Sequence, residues 1–527
     1  MKYNNIKKIY LIFISFWIVS FLFNFYLIIP NTDDAYYLMP AIGYLNTNEL
    51  AYHIEDYQYK LFERFPLYSF IQGNFFKIIN PLININFYTY RTLNILVFIS
   101  ILILSFFLLK KILDKDGQNF NNKIIFLPLI LSFTPIQTII VAFRPELLGI
   151  LFVLISIFFL YKKEKKLFYL SGFFLGLAVI CHPVFVIFNL FLVIYSFLIL
   201  KNYKKIFLYL TINSIPFFIL IFYLYLNLPN SLEMFTSQAK NLPYFKAWYG
   251  LISYSFDLIK NESFLIGSIN TIFYMPPFIF MLICIKYFFS NTKKKFFKDK
   301  LIFLLFLSTI TILILERNHT YLISLSSFFI IFIIFYIPWS KKILNFVSVN
   351  NKSINLLFVL LALIIINSWN IIHFSKFNLY KDKYLEPSKF IKFKKEITND
   401  SSAIVIARPE LVPLFTKELN QQYITNEYNH FWFFPDNSPP RNVERIAKSE
   451  NLIKQILETF TNKRIVWAVA KKDFKKKNNK YCLRLDDTHS SHSVNIQFDD
   501  IHKLLETNKH IFYYANNYAN NINLNCR

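Results

Sequence analysis

Glycine is scarce in this chain, with 8 in 527 residues. No GxGxxG and no Walker-like run exists among them. The sequence therefore gives no support for a nucleotide cofactor or a nucleotide-sugar donor site. Cysteine is rarer still, with four residues and no CxxC. Cys181 and Cys284 fall in or beside apolar segments. Cys482 and Cys526 fall in the polar C-terminal region, where a disulfide and a pair of free thiols are both open. The nine histidines are scattered and no metal motif of specific spacing occurs, so a cofactor is left unassigned. Acidic residues are few: 32 against 57 basic ones, a formal net charge of +25. In a soluble chain that excess would suggest nucleic acid. Here lysine collects in short connections between apolar runs, as membrane topology predicts, and no nucleic-acid-binding motif is present. There is also no internal repeat.

What the chain has in abundance is apolar surface: 55% hydrophobic and 20% aromatic residues. The excess comes in blocks that approach or exceed the roughly 18 residues needed to cross a bilayer. The expected fold is a polytopic α-helical membrane protein. Its spans fall at 8–30, 88–109, 123–141, 146–161, 167–181, 183–200, 206–228, 263–286, 301–315, 320–339 and 354–372, about eleven in all. The first has a basic start (Lys2, Lys7, Lys8) and is too long for a signal-peptide core, so it reads as an uncleaved helix.

Orientation follows from Lys and Arg. With the N-terminus inside, "KKILDKDGQNFNNK", "YKKEKK", "KNYKK", "NTKKKFFKDK" and "SKKILNFVSVNNK" all face the cytoplasm. An odd number of spans then puts residues 373–527 outside. The expected organisation is a transmembrane module over 1–372 and an extracytoplasmic domain over 373–527. Long outer loops at 31–87 and 229–262 complete the outer side. In the C-terminal region "SSAIVIA", "QQYIT" and "KRIVWAVA" read as strands. "PELVPLFTKEL" and "RNVERIAKSENLIKQILETF" read as helices, giving a small α/β domain.

The polar residues sort by side. Asp33, Asp34, Arg144, Glu146, His182, Glu316, Arg317 and His319 lie at outer ends of spans. Ionisable groups at membrane depth are expensive and usually functional. The sharpest signal is the acidic pair Asp33–Asp34, which follows the first span at once and opens the stretch "AYYLMPAIGYL". Its apolar and aromatic spacing predicts an amphipathic helix in the interface plane. "FERFPLYSFIQGNFFKIIN" predicts a second one before the next span.

Four stretches carry a resemblance. "TDDAYYLMPA" is similar to an Asp-Glu pair followed by aromatic and small residues. "ERFPLYSFIQG" is similar to a His-Pro-Pro-Leu-Tyr segment, with Arg64 and Phe65 in place of His and the first Pro. "FRPELLGIL" resembles an Arg-Pro-Asp/Glu segment entering a helix, and "ARPELVPLFT" the opening of an outer domain. Together they resemble the membrane-embedded glycosyltransferases of the C-type fold. Within these the resemblance is to the superfamily of protein-O-mannosyltransferases, aminoarabinose transferases and bacterial lipopolysaccharide glycosyltransferases.

The resemblance implies an inverting transferase in the plasma (inner) membrane, part of cell-envelope biogenesis. Such an enzyme takes a sugar from a polyprenyl-phosphate carrier to a hydroxyl acceptor, which is a glycan, lipid or protein. Membrane lipids are its other partners. The chemistry agrees: an attacking hydroxyl needs a carboxylate base, and a departing phosphate needs cations. Asp33 aligns with the first acid of the family pair and is the candidate base. Asp34 orients it, binds the acceptor or holds a divalent cation. Arg144, Arg64 and Arg317 are candidates for the carrier phosphate, with an interfacial anchor the other reading of Arg144. Glu146 either lines the cavity, pairs with Arg144 or caps the following helix. His182 is a ligand or a turn residue. Glu316, Arg317 and His319 form a topological break or a second polar wall. Readings from other classes are a lipid-linked-sugar flippase and an O-antigen ligase or polymerase. The first would usually show repeats and ionisable residues within spans. For the second, the main outer loop is expected late in the membrane region.

Overall fold

The structure is a computed structural model. It describes residues 3–27, 32–48, 50, 52–54, 57–59, 66–83, 89–114, 131, 139–162, 165–182, 184–200, 202–227, 300–315, 403–407, 423–425, 464–470, 474–477, 480–486, 493–498, 501–506 and 510–515. The expected spans at 263–286, 320–339 and 354–372, and most of 123–141, lie outside the described residues.

The apolar blocks fold as helices where their composition predicts. The first, α1, spans Tyr3–Leu27. The stretch 31–87 then contains α2 (Thr32–Thr47), a hairpin of β1 (Tyr52–Ile54) and β2 (Tyr57–Tyr59), and α3 (Leu67–Ile79). A short 3-10 turn at Thr89–Arg91 leads into α4 (Thr92–Asp114). Next come α5 (Glu146–Lys162), α6 (Lys165–Cys181), α7 (Phe185–Leu200), α8 (Tyr203–Asn227) and α9 (Lys300–Leu315).

Two described stretches, Thr89–Leu108 and Tyr203–Tyr223, are long and apolar enough to cross a bilayer by themselves. The second turns large side chains outward, among them Phe207 (74% exposed) and Phe218 (64%). In water such a surface would aggregate; against lipid tails it costs nothing.

Packing between helices follows the membrane rule of small residues at close contacts. A Cβ added at Gly176 of α6 would lie 2.2 Å from the Asn213 carbonyl of α8. One turn earlier, the Gly172 carbonyl accepts a hydrogen bond from Asn213 Nδ2 at 3.0 Å. The Asn213 side chain also exchanges amide hydrogen bonds with Asn189 of α7, at 2.9 and 3.2 Å. One asparagine thus joins three neighbouring helices.

The C-terminal region contains two sheets among the described residues. Five strands are ordered β4-β3-β5-β10-β9, where β3 is Ala403–Ala407, β4 Tyr423–Thr425, β5 Arg464–Ala470, β9 Ile501–Glu506 and β10 His510–Ala515. Strand β3 runs parallel to both β4 and β5, and β10 antiparallel to β5 and β9. The three strands read from the sequence are β3, β4 and β5. Parallel neighbours need crossover connections of a dozen or more residues, and the intervals 408–422 and 426–463 are long enough. The two helices expected in those intervals lie outside the described residues.

The second sheet is an antiparallel meander of β6 (Phe474–Lys477), β7 (Lys480–Asp486) and β8 (Ser493–Phe498). Together with β9 and β10 it adds five strands that the sequence reading did not anticipate. Cys482 pairs in register with Lys475 and Gln497 inside this meander, while Cys526 lies outside the described residues.

Candidate active site

Helix α2 begins at Thr32, so Asp33 and Asp34 occupy its first turn. A helix N-terminus is favourable ground for negative charge, because the macrodipole and the unpaired backbone N–H groups face it. One turn further along the same helix stands Tyr37. Its carbonyl accepts a hydrogen bond from Ser69 Oγ of α3 at 2.8 Å. Its ring packs edge-on against Tyr68, with centroids 5.7 Å apart. The α2–α3 pair is locked further along by Gly73, where a Cβ would meet the Ala41 carbonyl at 2.9 Å. The two expected interfacial helices are therefore one packed unit, with the acidic turn at one end.

From that unit a buried polar chain leads to the next elements. The Tyr68 hydroxyl donates to Asn94 Oδ1 of α4 at 2.9 Å. Asn94 Nδ2 donates to the Ala142 carbonyl and lies 3.5 Å from the Arg144 carbonyl. Gln72 Nε2 of α3 donates to the Tyr90 carbonyl at 3.1 Å. The Asn94 bonds hold the irregular stretch Ala142–Pro145, which precedes α5. Non-regular backbone at membrane depth is tolerated only where its polar groups are satisfied in this way.

At the end of that stretch the two residues of "FRPE" meet. Arg144 Nε and Nη2 lie 2.9 and 2.8 Å from Glu146 Oε1. Both residues are buried, with Glu146 fully inaccessible. His182 comes in from the turn between α6 and α7, with Nε2 3.9 Å from the same carboxylate oxygen. Its Nδ1 accepts the Val184 backbone N–H at 3.3 Å. That bond uses the Nδ1 lone pair and leaves Nε2 as the protonated nitrogen, directed at Glu146. The approach of the two turns depends on Gly149, on the first turns of α5: a Cβ there would fall 2.0 Å from the Phe185 ring of α7. Glu146 Oε2 is buried and has no hydrogen-bond partner among the described residues.

Arg144, Glu146 and His182 are thus brought together. Both the turn and the contact with Glu146 describe His182. Of the readings open for Glu146, pairing with Arg144 is realised, and Glu146 is at the same time the first residue of α5. Arg64, Glu316, Arg317 and His319 lie outside the described residues, and Asp33 and Asp34 are described through their backbone alone. Among the described residues no group of three His, Cys, Asp or Glu is placed to hold a metal ion.

Three residues the sequence reading passed over belong to this region. Tyr68 stands inside "FPLYSF", and Asn94 is a lone amide in an otherwise apolar span, a polar signal at membrane depth. Arg91 is fully buried at the start of α4. It donates to the Phe25 carbonyl at the end of α1, and its guanidinium lies 5.5 Å from the Phe25 ring and 6.0 Å from that of Phe143.

No family model matches the chain, and no curated protein matches it by sequence. Solved structures do match. The chain is similar to ArnT from Cupriavidus metallidurans in the apo state, with 10% identity and a TM-score of 0.50 over 96% of this chain and 97% of that one. It is similar to the same protein bound to undecaprenyl phosphate, with 10% identity and a TM-score of 0.52 over 98% of each chain. The likeness runs through the membrane helices and the C-terminal region alike. This chain has the polytopic helical membrane fold of ArnT, the C-type glycosyltransferase fold that its sequence resembles.

Proposed function

We propose that this protein transfers a sugar from a polyprenyl-phosphate carrier to a hydroxyl acceptor at the outer face of the plasma membrane. The observation that carries this reading is the likeness, over 98% of both chains, to a structure of ArnT bound to undecaprenyl phosphate. In this reading Asp33 is the general base. It takes the proton of the acceptor hydroxyl as that oxygen attacks C1 of the sugar from the face opposite the phosphate. The C1–O bond breaks, its electron pair leaves with the polyprenyl phosphate, and configuration at C1 inverts. Asp34 orients the base, contacts the acceptor or holds a divalent cation.

Arg64 and Arg317 receive the phosphate charge. Arg144 is the third candidate for the phosphate, but its charge is balanced by Glu146 at 2.8 Å. It therefore acts through direction and dipole more than through net charge. About eleven spans carry the module over 1–372, with the N-terminus in the cytoplasm. Residues 373–527 form the outer α/β domain, and parallel pairing of β3 with β4 and β5 supports that assignment. Together with the loop at 229–262 it selects the acceptor.

The test compares envelope glycans of cells carrying the wild-type gene, no gene, or Asp33→Asn. The expected result is loss of one sugar in the last two, with Asp33→Asn protein present in the membrane at normal level. Wild-type transfer by that variant would remove Asp33 as the base.

A further inference from the structure

We propose that Asn94 and Tyr68 are positioning residues that hold the Arg144–Glu146 pair in place for the carrier lipid. The inference rests on the transferase reading above and adds a device to it.

The argument starts from valence. A side-chain amide offers one carbonyl oxygen and two N–H donors. Asn94 spends them in two directions. Its oxygen takes the Tyr68 hydroxyl at 2.9 Å, and its nitrogen turns to the Ala142 and Arg144 carbonyls. The residue is 1% exposed. Asn94 thus joins α3 and α4 to the irregular stretch Ala142–Pro145, which carries Arg144 and leads directly into Glu146. Tyr68 is fully buried and carries the link to Tyr37, one helical turn from Asp33 and Asp34. A ring contact followed by hydrogen bonds therefore links α2 to the backbone that carries Arg144.

An asparagine in a helix can bond a carbonyl of its own preceding turn. This one reaches 48 and 50 residues along the chain, to the two carbonyls that flank Phe143. Loss of the clamp frees the backbone of Arg144, so the guanidinium and its carboxylate partner lose their fixed orientation while both remain present.

The experiment uses purified full-length protein in detergent and undecaprenyl phosphate itself as the probe. Affinity is measured well below the unfolding temperature, and the unfolding temperature is recorded separately. Asn94→Leu should weaken binding about tenfold and Tyr68→Phe about threefold. In a Glu146→Gln background the Asn94 effect should shrink to less than twofold, since the pair it holds is already broken. If both variants only lower the unfolding temperature and bind with wild-type affinity, the proposal is overturned. It is equally overturned if the tenfold loss persists undiminished in the Glu146→Gln background. Tyr68→Phe removes a single hydroxyl and carries the test if Asn94→Leu does not fold. Failure of the wild-type protein to bind undecaprenyl phosphate would instead count against the transferase reading, an outcome distinct from equal binding by all variants.

Discussion

Glu146 Oε1 sits 2.8 Å from Arg144 Nη2, with the two side chains 0% and 4% exposed. The two residues are separated in sequence only by Pro145. Proline fixes its own φ and disfavours the helical region for the residue before it, so Arg144 is held out of α5 while Glu146 opens it. The side chains fold back on each other across that corner.

Breaking this pair from one side should cost more than removing it. Glu146→Ala leaves a guanidinium in a region built for a neutral couple, with an expected loss of about 3–5 kcal/mol. Arg144→Met combined with Glu146→Leu should lose much less. Thermal unfolding of the detergent-purified variants gives the comparison. A double variant as unstable as Glu146→Ala would count against the pair as a mutually neutralising unit.

Gly149 is a contact surface for the Phe185 ring. Gly149→Ala should destabilise by about 1–3 kcal/mol, because a Cβ at 2.0 Å forces the ring or the helix to move. Adding Phe185→Leu should recover part of that loss, whereas Phe185→Leu alone should be destabilising. Unfolding temperatures of the three variants decide it.

The amide pair Asn189–Asn213 offers a cleaner case of polar bonding in an apolar setting. Removing one partner with Asn213→Leu should cost about 1–2 kcal/mol, including the Asn189 amide left without it. Asn189→Leu added to the same chain should bring little further loss. Additive losses in a double-mutant cycle would show that the two amides are not coupled.

In the five-stranded sheet, β5 lies between β3 and β10 and buries Trp467 at 1% exposure. Trp467→Ala should cost about 3–5 kcal/mol. Limited proteolysis of membranes should then cleave within residues 403–515 at protease levels that leave the wild-type chain intact. Unchanged resistance would contradict a packed role for this side chain.

The helices were legible because membrane spans declare themselves by length and composition. The readings at 146–161, 167–181 and 206–228 fall within three residues of α5, α6 and α8. In the sequence, Arg144, Glu146 and His182 share only an expected side of the membrane. Their contacts depend on Gly149 and on a histidine turn, which no periodicity reports. Asn94 was missed because a single polar residue in an apolar run is cheap to read as a tolerated exception, and Tyr68 was read only as part of the "ERFPLYSFIQG" segment. The strands from 474 onward were missed for a different reason. "FKKKNNKYCLRLDD" is charged and polar, so it lacks the apolar run that marks β3 and β5. Its hairpin signal was the Asn478–Asn479 pair, which fits the two-residue connection implied by the Lys477–Lys480 register.

The strand order of the larger sheet bears on how the protein is made. β10, the last of the described strands to be synthesised, sits beside β5 with β9 on its far side. Until it arrives, β5 presents a row of unsatisfied amides along one flank, the kind of flank that recruits foreign strands. Folding of this region must therefore shield β5 throughout the interval between its own emergence and that of residues 510–515.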